Sequence, residues 1–261
     1  ALGENPKQSN WGDAHHTRYP QSRMGVIELI RGSFVEAQNY RKLKRAGKDP
    51  KPDLRLEALL EVLDGKRLVH CHSYRQDEIL ALIRAAEEVG FKVNVFQHVL
   101  EGYKVASEIA KHGAACSTFA DWWAYKVEVE DAIPQNASLL HEAGVSVSIN
   151  SDSDDLARRL NTEAAKSLRY GNVSQAEALG MITRYPAEQL GVQARVGTLE
   201  VGKDADLVLW SDEPLKQNAT VLETWIDGKR YFHRTQEETR LRRLQSERAR
   251  YLQALEGSER S

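Results

Sequence analysis

The sequence predicts a parallel α/β protein that forms the second part of a (β/α)8 barrel, followed by a small β element and a helix. Short β-like runs alternate with helix-like segments from Gly65 to about Gly171, with short connections between them. That alternation is typical of parallel α/β architecture. At most five strand positions can be counted, whereas a closed barrel needs eight. The chain is therefore expected to supply about strands 4 to 8.

Four strands are predicted from apolar runs that end in polar residues, namely RLVHCHS, KVNVFQHV, AACSTFA and VSVSINSD. Apolar residues at helical spacing predict helices at about 76–89, 102–111 and 134–144, and two more at about 156–170 and 174–190. Residues 1–7 are a candidate strand end, followed by a polar loop over 8–22 and by helices at about 22–46 and 53–63. The barrel portion is expected to cover residues 1–190.

The character of the chain changes after Gly191. VGTLEVGKDADLVLW contains two glycine-bearing turns and a β run, and ATVLETWIDGKRYF predicts a hairpin around Asp227-Gly228. We expect a small β element over 191–233 and a charged helical tail over 234–261. The tail carries a thin leucine stripe, which favours a solvated helix lying on its own protein; a partner helix is the alternative.

Composition argues against several function classes. Hydrophobic residues at 41% and charged residues at 28% are ordinary for a globular protein. A net charge of -2 gives no reason to expect nucleic acid or an anionic membrane surface as a partner. No run of about 18 apolar residues predicts a membrane span. Two cysteines are too few for a disulfide scaffold, so a cytoplasmic location is the default, although an upstream segment could carry an export signal.

Three residues that divalent metals use lie at or near the ends of predicted strands: His70, His98 and Asp152. The carboxyl ends of barrel strands meet at one edge, so the fold would bring these side chains together. His72 faces the same side of its strand as His70, so either could bind a metal while the other holds the substrate or orients its neighbour. Taken singly, each histidine could instead be an ordinary hydrogen-bonding group, and Asp152 could be a helix N-cap.

A further set of residues consists of candidates for substrate binding. Trp122, Trp123 and Tyr125 follow a predicted strand and suit a pocket wall, or equally the packing of a neighbouring loop. His15 and His16 lie in a polar loop, where they are either solvated or in contact with substrate. The charged residues after the aromatic segment are expected on a solvated face: Lys126, Glu128 and Glu130.

The segments NSDSDDLARRLNTEAAKSLRYGNVSQAEALGMITRYPAEQLGV and VGTLEVGKDADLVLW are similar to the closing part of the amidohydrolase superfamily, especially the branch around imidazolonepropionase. VHCHS and FQHVLEGYK match the family's fifth and sixth strands, and SINSD matches its eighth. The resemblance extends from GENPK to about Phe232. It implies a partial (β/α)8 TIM-type barrel with a small C-terminal β-sandwich element.

The resemblance also implies roles for individual residues. His70 would be the fifth-strand metal ligand, His98 the sixth-strand ligand, and Asp152 the carboxylate that contacts metal and shuttles a proton. Glu4 would follow the fourth strand, where many members carry a carboxylated lysine or a glutamate, and so is a candidate metal or substrate contact. The implied cofactor is one or two divalent ions, zinc above all. The family's first-strand His-x-His pair has no counterpart upstream of Gly65.

The implied function is metal-dependent hydrolysis of a C–N bond in a linear or cyclic amide, with Asp152 as proton shuttle. The alternative is a non-catalytic or partner-dependent module, in which another segment or chain completes the barrel and the metal site. The unpaired edges of an unfinished sheet favour some form of completion. The expected partners are therefore a small-molecule substrate and either a second copy of the chain or a complementing N-terminal segment.

Overall fold

The chain folds into two units, Ala1–Gly191 and Val192–Ser261. The computed structural model describes residues 1–7, 19–120 and 126–258, with side-chain exposure described to residue 255. Over these ranges, no helix combines the length and the apolar character that crossing a membrane requires.

A four-stranded parallel sheet forms the centre of the first unit, with its strands in chain order. The strands are β1 (His70–Ser73), β2 (Val95–His98), β3 (Ala115–Thr118) and β4 (Val147–Ile149). The register aligns Ser73 with His98 and His98 with Thr118, so the carboxyl ends of the first three strands are level. The four strands and their parallel order confirm the predicted α/β class.

Helices cover this sheet and connect its strands. They are α1 (Glu4–Lys7), α2 (Arg23–Arg45), α3 (Leu54–Leu63), α4 (Gln76–Val89), α5 (Ala106–His112), α6 (Asn136–Glu142), α7 (Leu160–Tyr170), α8 (Gln175–Gly180) and α9 (Arg184–Gln189). Short 3₁₀ turns cover Gly102–Val105, Val127–Val129 and Leu156–Arg159. The helix predicted at 76–89 is confirmed, and it ends at Gly90, whose φ of 79° gives the left-handed cap that glycine favours.

Two predicted elements differ in the structure. The candidate strand at 1–7 is wrong: residues 4–7 form a helical turn, which Pro6 tolerates because a first turn needs no proline N–H. A backbone bond, from Leu2 N to His72 O at 2.8 Å, ties this segment to the edge of β1. The helix predicted over 174–190 is broken into α8 and α9, because Pro186 is accommodated only near the start of a helix.

The core of the first unit lies between the sheet and its helices. Phe96 and Val95 are adjacent in β2 and are both buried, as expected when a parallel strand is covered on both faces. From the helices, Ile79 and Ile109 are fully buried. A separate apolar cluster lies at or beyond the carboxyl ends of the strands and contains Tyr74, Leu100, Phe119 and Val129. This cluster supports the edge of the sheet where the candidate ligands were predicted.

The second unit is a three-stranded antiparallel sheet followed by a long helix. The elements are β5 (Leu207–Trp210), β6 (Val221–Ile226), β7 (Lys229–His233) and α10 (Arg234–Ser258). Asp227 and Gly228 both have positive φ, which confirms the predicted hairpin turn. The described residues of this unit form one sheet, not the two facing sheets of the expected β-sandwich element.

Candidate metal centre

His98 is the last residue of β2 and Asp152 lies three residues beyond the end of β4, and both have a left-handed backbone. The φ angle is 70° at His98, 43° at the following Val99 and 45° at Asp152. Positive φ is uncommon for residues other than glycine and is an outlier for a β-branched valine. Such conformations persist only where the surroundings impose them, and they concentrate at functional sites. Two of the three predicted ligands thus occupy strained positions at the same edge of the sheet.

The imidazole of His98 lies in a stack of rings. Phe119 stacks against it with ring centroids 4.7 Å apart, and Tyr74 stacks at 5.4 Å. The ring of His72 meets His98 edge-on, with centroids 4.6 Å apart and an interplanar angle of 74°. The structure therefore brings the two histidines of neighbouring strands together and holds the plane of one ring between aromatic neighbours.

The electrostatic surroundings favour neutral imidazoles. The pKa of His72 is lowered to about 4, first by burial and then by His98 and Lys126. Burial also lowers the pKa of His98, against the opposing effects of the Asp152 carboxylate and a hydrogen bond with Asn150. The charge of Asp152 raises the pKa of both rings and so partly opposes the effect of burial. The lowered pKa values favour the neutral form of both rings, which is the form that binds a metal.

One ring nitrogen at this site lacks a partner. The Nδ1 atom of His98 is buried and neither accepts nor donates a hydrogen bond within the described part of the chain. The Nε2 atom of His72 lies 3.4 Å from the side-chain amide nitrogen of Asn5. Buried polar atoms are nearly always paired, so an unpaired buried imidazole nitrogen fits a metal ligand. Among the residues that the structure describes, no group of three or more His, Cys, Asp or Glu side chains is arranged so that it could hold a metal ion.

His70 occupies a different level of the sheet. It pairs with Val95 at the start of β1, whereas His98 pairs with Ser73 three residues later, about 10 Å along the strand. Its Nε2 lies 3.1 Å from the carbonyl oxygen of Gln189, and its Nδ1 lies 3.1 Å from the side-chain nitrogen of Gln97. Both ring nitrogens are thus occupied by hydrogen bonds. The structure brings His72, and not the predicted His70, against His98.

Asp152 does not act as the N-cap that was considered as its alternative role. The helical turn that follows begins at Leu156 with Asp155 at its N-cap, and the hydroxyl of Ser153 accepts from the Leu156 N–H. The Asp152 carboxylate is therefore not used to cap this turn, and the ordinary structural explanation for the residue does not apply.

The carboxylate of Glu128 is buried near the candidate site. The expectation of a solvated face is wrong for this residue, which is 1% exposed. Its Oε1 accepts hydrogen bonds from the Glu4 backbone N–H at 2.8 Å and from Arg23 Nη2 at 3.0 Å. Lys126 Nζ lies 3.3 Å from its Oε2 and 3.9 Å from the centroid of the Tyr74 ring. The three-residue 3₁₀ turn that carries Glu128 is too short to show a periodicity that would have revealed its burial.

The backbone N–H of Glu4 is thus hydrogen-bonded to the buried carboxylate of Glu128. The candidate substrate residues His15, His16, Trp122, Trp123 and Tyr125 lie outside the described residues.

The parallel α/β fold brings two imidazoles together at the carboxyl ends of its strands, which is the edge where barrel proteins of this class carry their sites. Residues 51–231 match the model of the Amidohydrolase family, and the chain belongs to this family of hydrolases. The resemblance inferred from the sequence motifs is thereby confirmed.

Individual relatives agree with this assignment. Amidohydrolase tasK from Hapsidospora irregularis is 31% identical over 250 residues, which cover 89% of this chain and 25% of that protein. Imidazolonepropionase from Pseudomonas aeruginosa (strain UCBPP-PA14) is 37% identical over 94 residues, which cover 34% of this chain and 22% of that protein. A crystal structure of an amidohydrolase from Thermotoga maritima MSB8 is similar with a TM-score of 0.80 and 33% identity, over 89% of this chain and 61% of that chain. The chain thus spans about a quarter of the length of these curated relatives.

Proposed function

We propose that this chain forms part of a metal-dependent hydrolase that acts on C–N bonds of linear or cyclic amides. In this proposal His72, His98 and Asp152 are its contribution to the metal site. The observation that carries the proposal is the buried, unpaired Nδ1 of His98, whose ring lies 4.6 Å from that of His72. The fifth-strand ligand is then His72, because the nitrogens of His70 are already occupied by Gln97 of β2 and by the carbonyl oxygen of Gln189 in α9.

The chemistry of these side chains suits zinc, which prefers neutral imidazole and carboxylate ligands. Family members generally use divalent metals, which supports the choice. A bound divalent ion would supply Lewis acidity, polarising the amide carbonyl and making water acidic near neutral pH. Two neutral imidazoles and one carboxylate leave room for the remaining ligands to come from another segment.

Asp152 is the proposed general base and acid. Its carboxylate accepts a proton as the oxygen of a water molecule attacks the amide carbon. It then delivers that proton to the amide nitrogen as the C–N bond breaks, so the carboxylate is regenerated. Its left-handed backbone at the strand end fixes the position of the side chain, which a proton carrier between two defined atoms requires.

The sheet is proposed to be part of a (β/α)8 barrel, with a complementing N-terminal segment or a second copy of the chain supplying the rest. The likeness to the Thermotoga maritima amidohydrolase over 61% of that chain supports this arrangement. The backbone bond from Leu2 to His72 supports this arrangement, because it joins the first residues of the chain to the edge of β1. A partner-dependent module would need the same completion, but the unpaired nitrogen of His98 favours an active site.

The proposal is tested by measuring bound zinc in the purified chain and in single variants. We expect His98→Ala, His72→Ala and Asp152→Asn to reduce zinc content. His70→Ala is the matched control from the same strand, and it should retain zinc. Absence of zinc from the native chain under saturating conditions, or zinc content indifferent to all three substitutions, would contradict the proposed site.

A further inference from the structure

The strained turn at His98 and Val99 is held by two buried polar side chains from other elements. Thr118 lies opposite His98 in β3, and its hydroxyl donates a hydrogen bond to the His98 carbonyl oxygen at 2.8 Å. Asn136, the first residue of α6, donates from Nδ2 to the Val99 carbonyl oxygen at 3.1 Å. Each of the two left-handed residues therefore has its carbonyl bound by a side chain.

These two side chains also bind each other. Asn136 Nδ2 donates to the hydroxyl oxygen of Thr118 at 3.0 Å, and its Oδ1 accepts from the Tyr103 backbone N–H at 2.9 Å. Asn136 is 1% exposed and Thr118 is 0% exposed. The orientation of the amide is defined, because one end faces an N–H and the other faces two oxygen acceptors. The result is a buried chain of hydrogen bonds that runs from α6 through β3 to the His98 peptide.

This arrangement does more than satisfy buried groups. A glycine would adopt a left-handed turn without strain, yet the chain has a histidine and a buried valine at these positions. The strain is tolerated only if surrounding contacts impose it. The consequence of the turn is that the ring of His98 lies between Tyr74 and Phe119, with Nδ1 unpaired.

We infer that Thr118 and Asn136 are positioning residues, which hold the His98 peptide so that its imidazole is presented to the metal site. The inference rests on the proposed role of His98 as a ligand. Neither residue touches the substrate or the ion; each acts through the backbone that carries the ligand. Groups that orient a metal ligand typically contribute about 10-fold to 100-fold to metal affinity.

The test compares isosteric and conservative variants in the full chain. Thr118→Val removes the hydroxyl and keeps the shape, Thr118→Ser restores the hydroxyl, and Asn136→Asp removes both Nδ2 donors. Ser138→Ala is the control, because it removes a buried hydroxyl from the same helix, one that donates to Ser167 O at 3.2 Å away from His98. Zinc affinity is measured by competition with a chromophoric chelator, and stability is measured by urea unfolding.

We expect Thr118→Val and Asn136→Asp to weaken zinc binding about 10-fold or more. Thr118→Ser and Ser138→Ala should bind as the native chain does. Equal zinc affinity in Thr118→Val and the native chain would overturn the inference. So would a loss in Ser138→Ala as large as that in Thr118→Val, because the effect would then be one of general stability.

A second measurement needs no metal. Ring currents from Phe119 and Tyr74 shift the NMR signals of the His98 ring, and Thr118→Val should move them towards those of an unstacked histidine. Unmoved His98 signals in a folded variant would overturn the inference. If the native chain binds no zinc, the proposed metal site fails, and these signals still decide whether the two residues position His98. If Thr118→Val does not fold, Asn136→Asp provides the same comparison.

Discussion

Replacing Glu128 with glutamine should destabilise the first unit by about 2 to 3 kcal/mol, far more than loss of an exposed ion pair. The carboxylate is 1% exposed and contacts Arg23, Lys126 and the Glu4 N–H at 3.0, 3.3 and 2.8 Å. Glutamine keeps an oxygen that can accept from the Glu4 N–H, so the change removes charge with little change of shape.

The size of this destabilisation depends on the ion pairs that Arg23 and Lys126 lose when Glu128 is replaced. Breaking a buried ion pair by removing one partner costs about 3 to 5 kcal/mol when the other charge is left uncompensated. Arg23 keeps a second partner after the change, because its Nε also lies 3.2 Å from Glu78 Oε1. The side chains of Arg23 and Lys126 are 27% and 23% exposed, so water partly solvates them after the change. The expected loss is accordingly placed below that range, at about 2 to 3 kcal/mol.

Urea unfolding followed by circular dichroism measures this loss through the shift of the midpoint at constant slope. Glu88→Gln is the matched control, since Glu88 is 54% exposed on the side chain and pairs with Arg31 across two helices. Its substitution should cost much less, because water screens an exposed pair. Equal losses in the two variants would refute the claim that burial makes the Glu128 network strong.

Three further predictions concern the same region. The imidazole of His72 should remain neutral until about pH 4 in an NMR titration, and titration near 6.5 would contradict its burial. Because its pKa in the folded protein is depressed, its contribution to stability is present above pH 6.5 and is lost as pH falls towards 4. Burial raises the pKa of Glu78, so its contribution to stability is present below pH 4.5 and is lost as pH rises through the raised value. Glu78→Gln should therefore flatten the dependence of the unfolding free energy on pH in that window. An unchanged slope would count against this prediction. Gly3→Ala should reduce the unfolding free energy measured in urea, because Gly3 has a φ of 81° and an added Cβ would lie 2.6 Å from Glu128 Oε1. An equally stable variant would show that the segment around Gly3 is not held against Glu128.

Much of the fold could be predicted from local patterns. The helix over 76–89 follows from apolar residues at helical spacing and a terminal glycine, and both are properties of a short stretch of chain. The positions of His98 and Asp152 near strand ends were predictable in the same way, because a polar residue closes each apolar run. These features depend on periodicity and steric preference within one element, which the sequence contains in full.

The tertiary structure decided which residues meet. His70 and His72 face the same side of one strand, so alternation alone could not tell them apart. The register of β1 against β2, set by packing between strands some twenty residues apart, brings His72 to His98 and leaves His70 beside Gln97 and Gln189. The sequence by itself determined the central strands and most of the helices, and the kinds of ligand that they carry. Long-range register and the burial of single charges such as Glu128 depend on contacts between distant segments, and only the folded chain defines them.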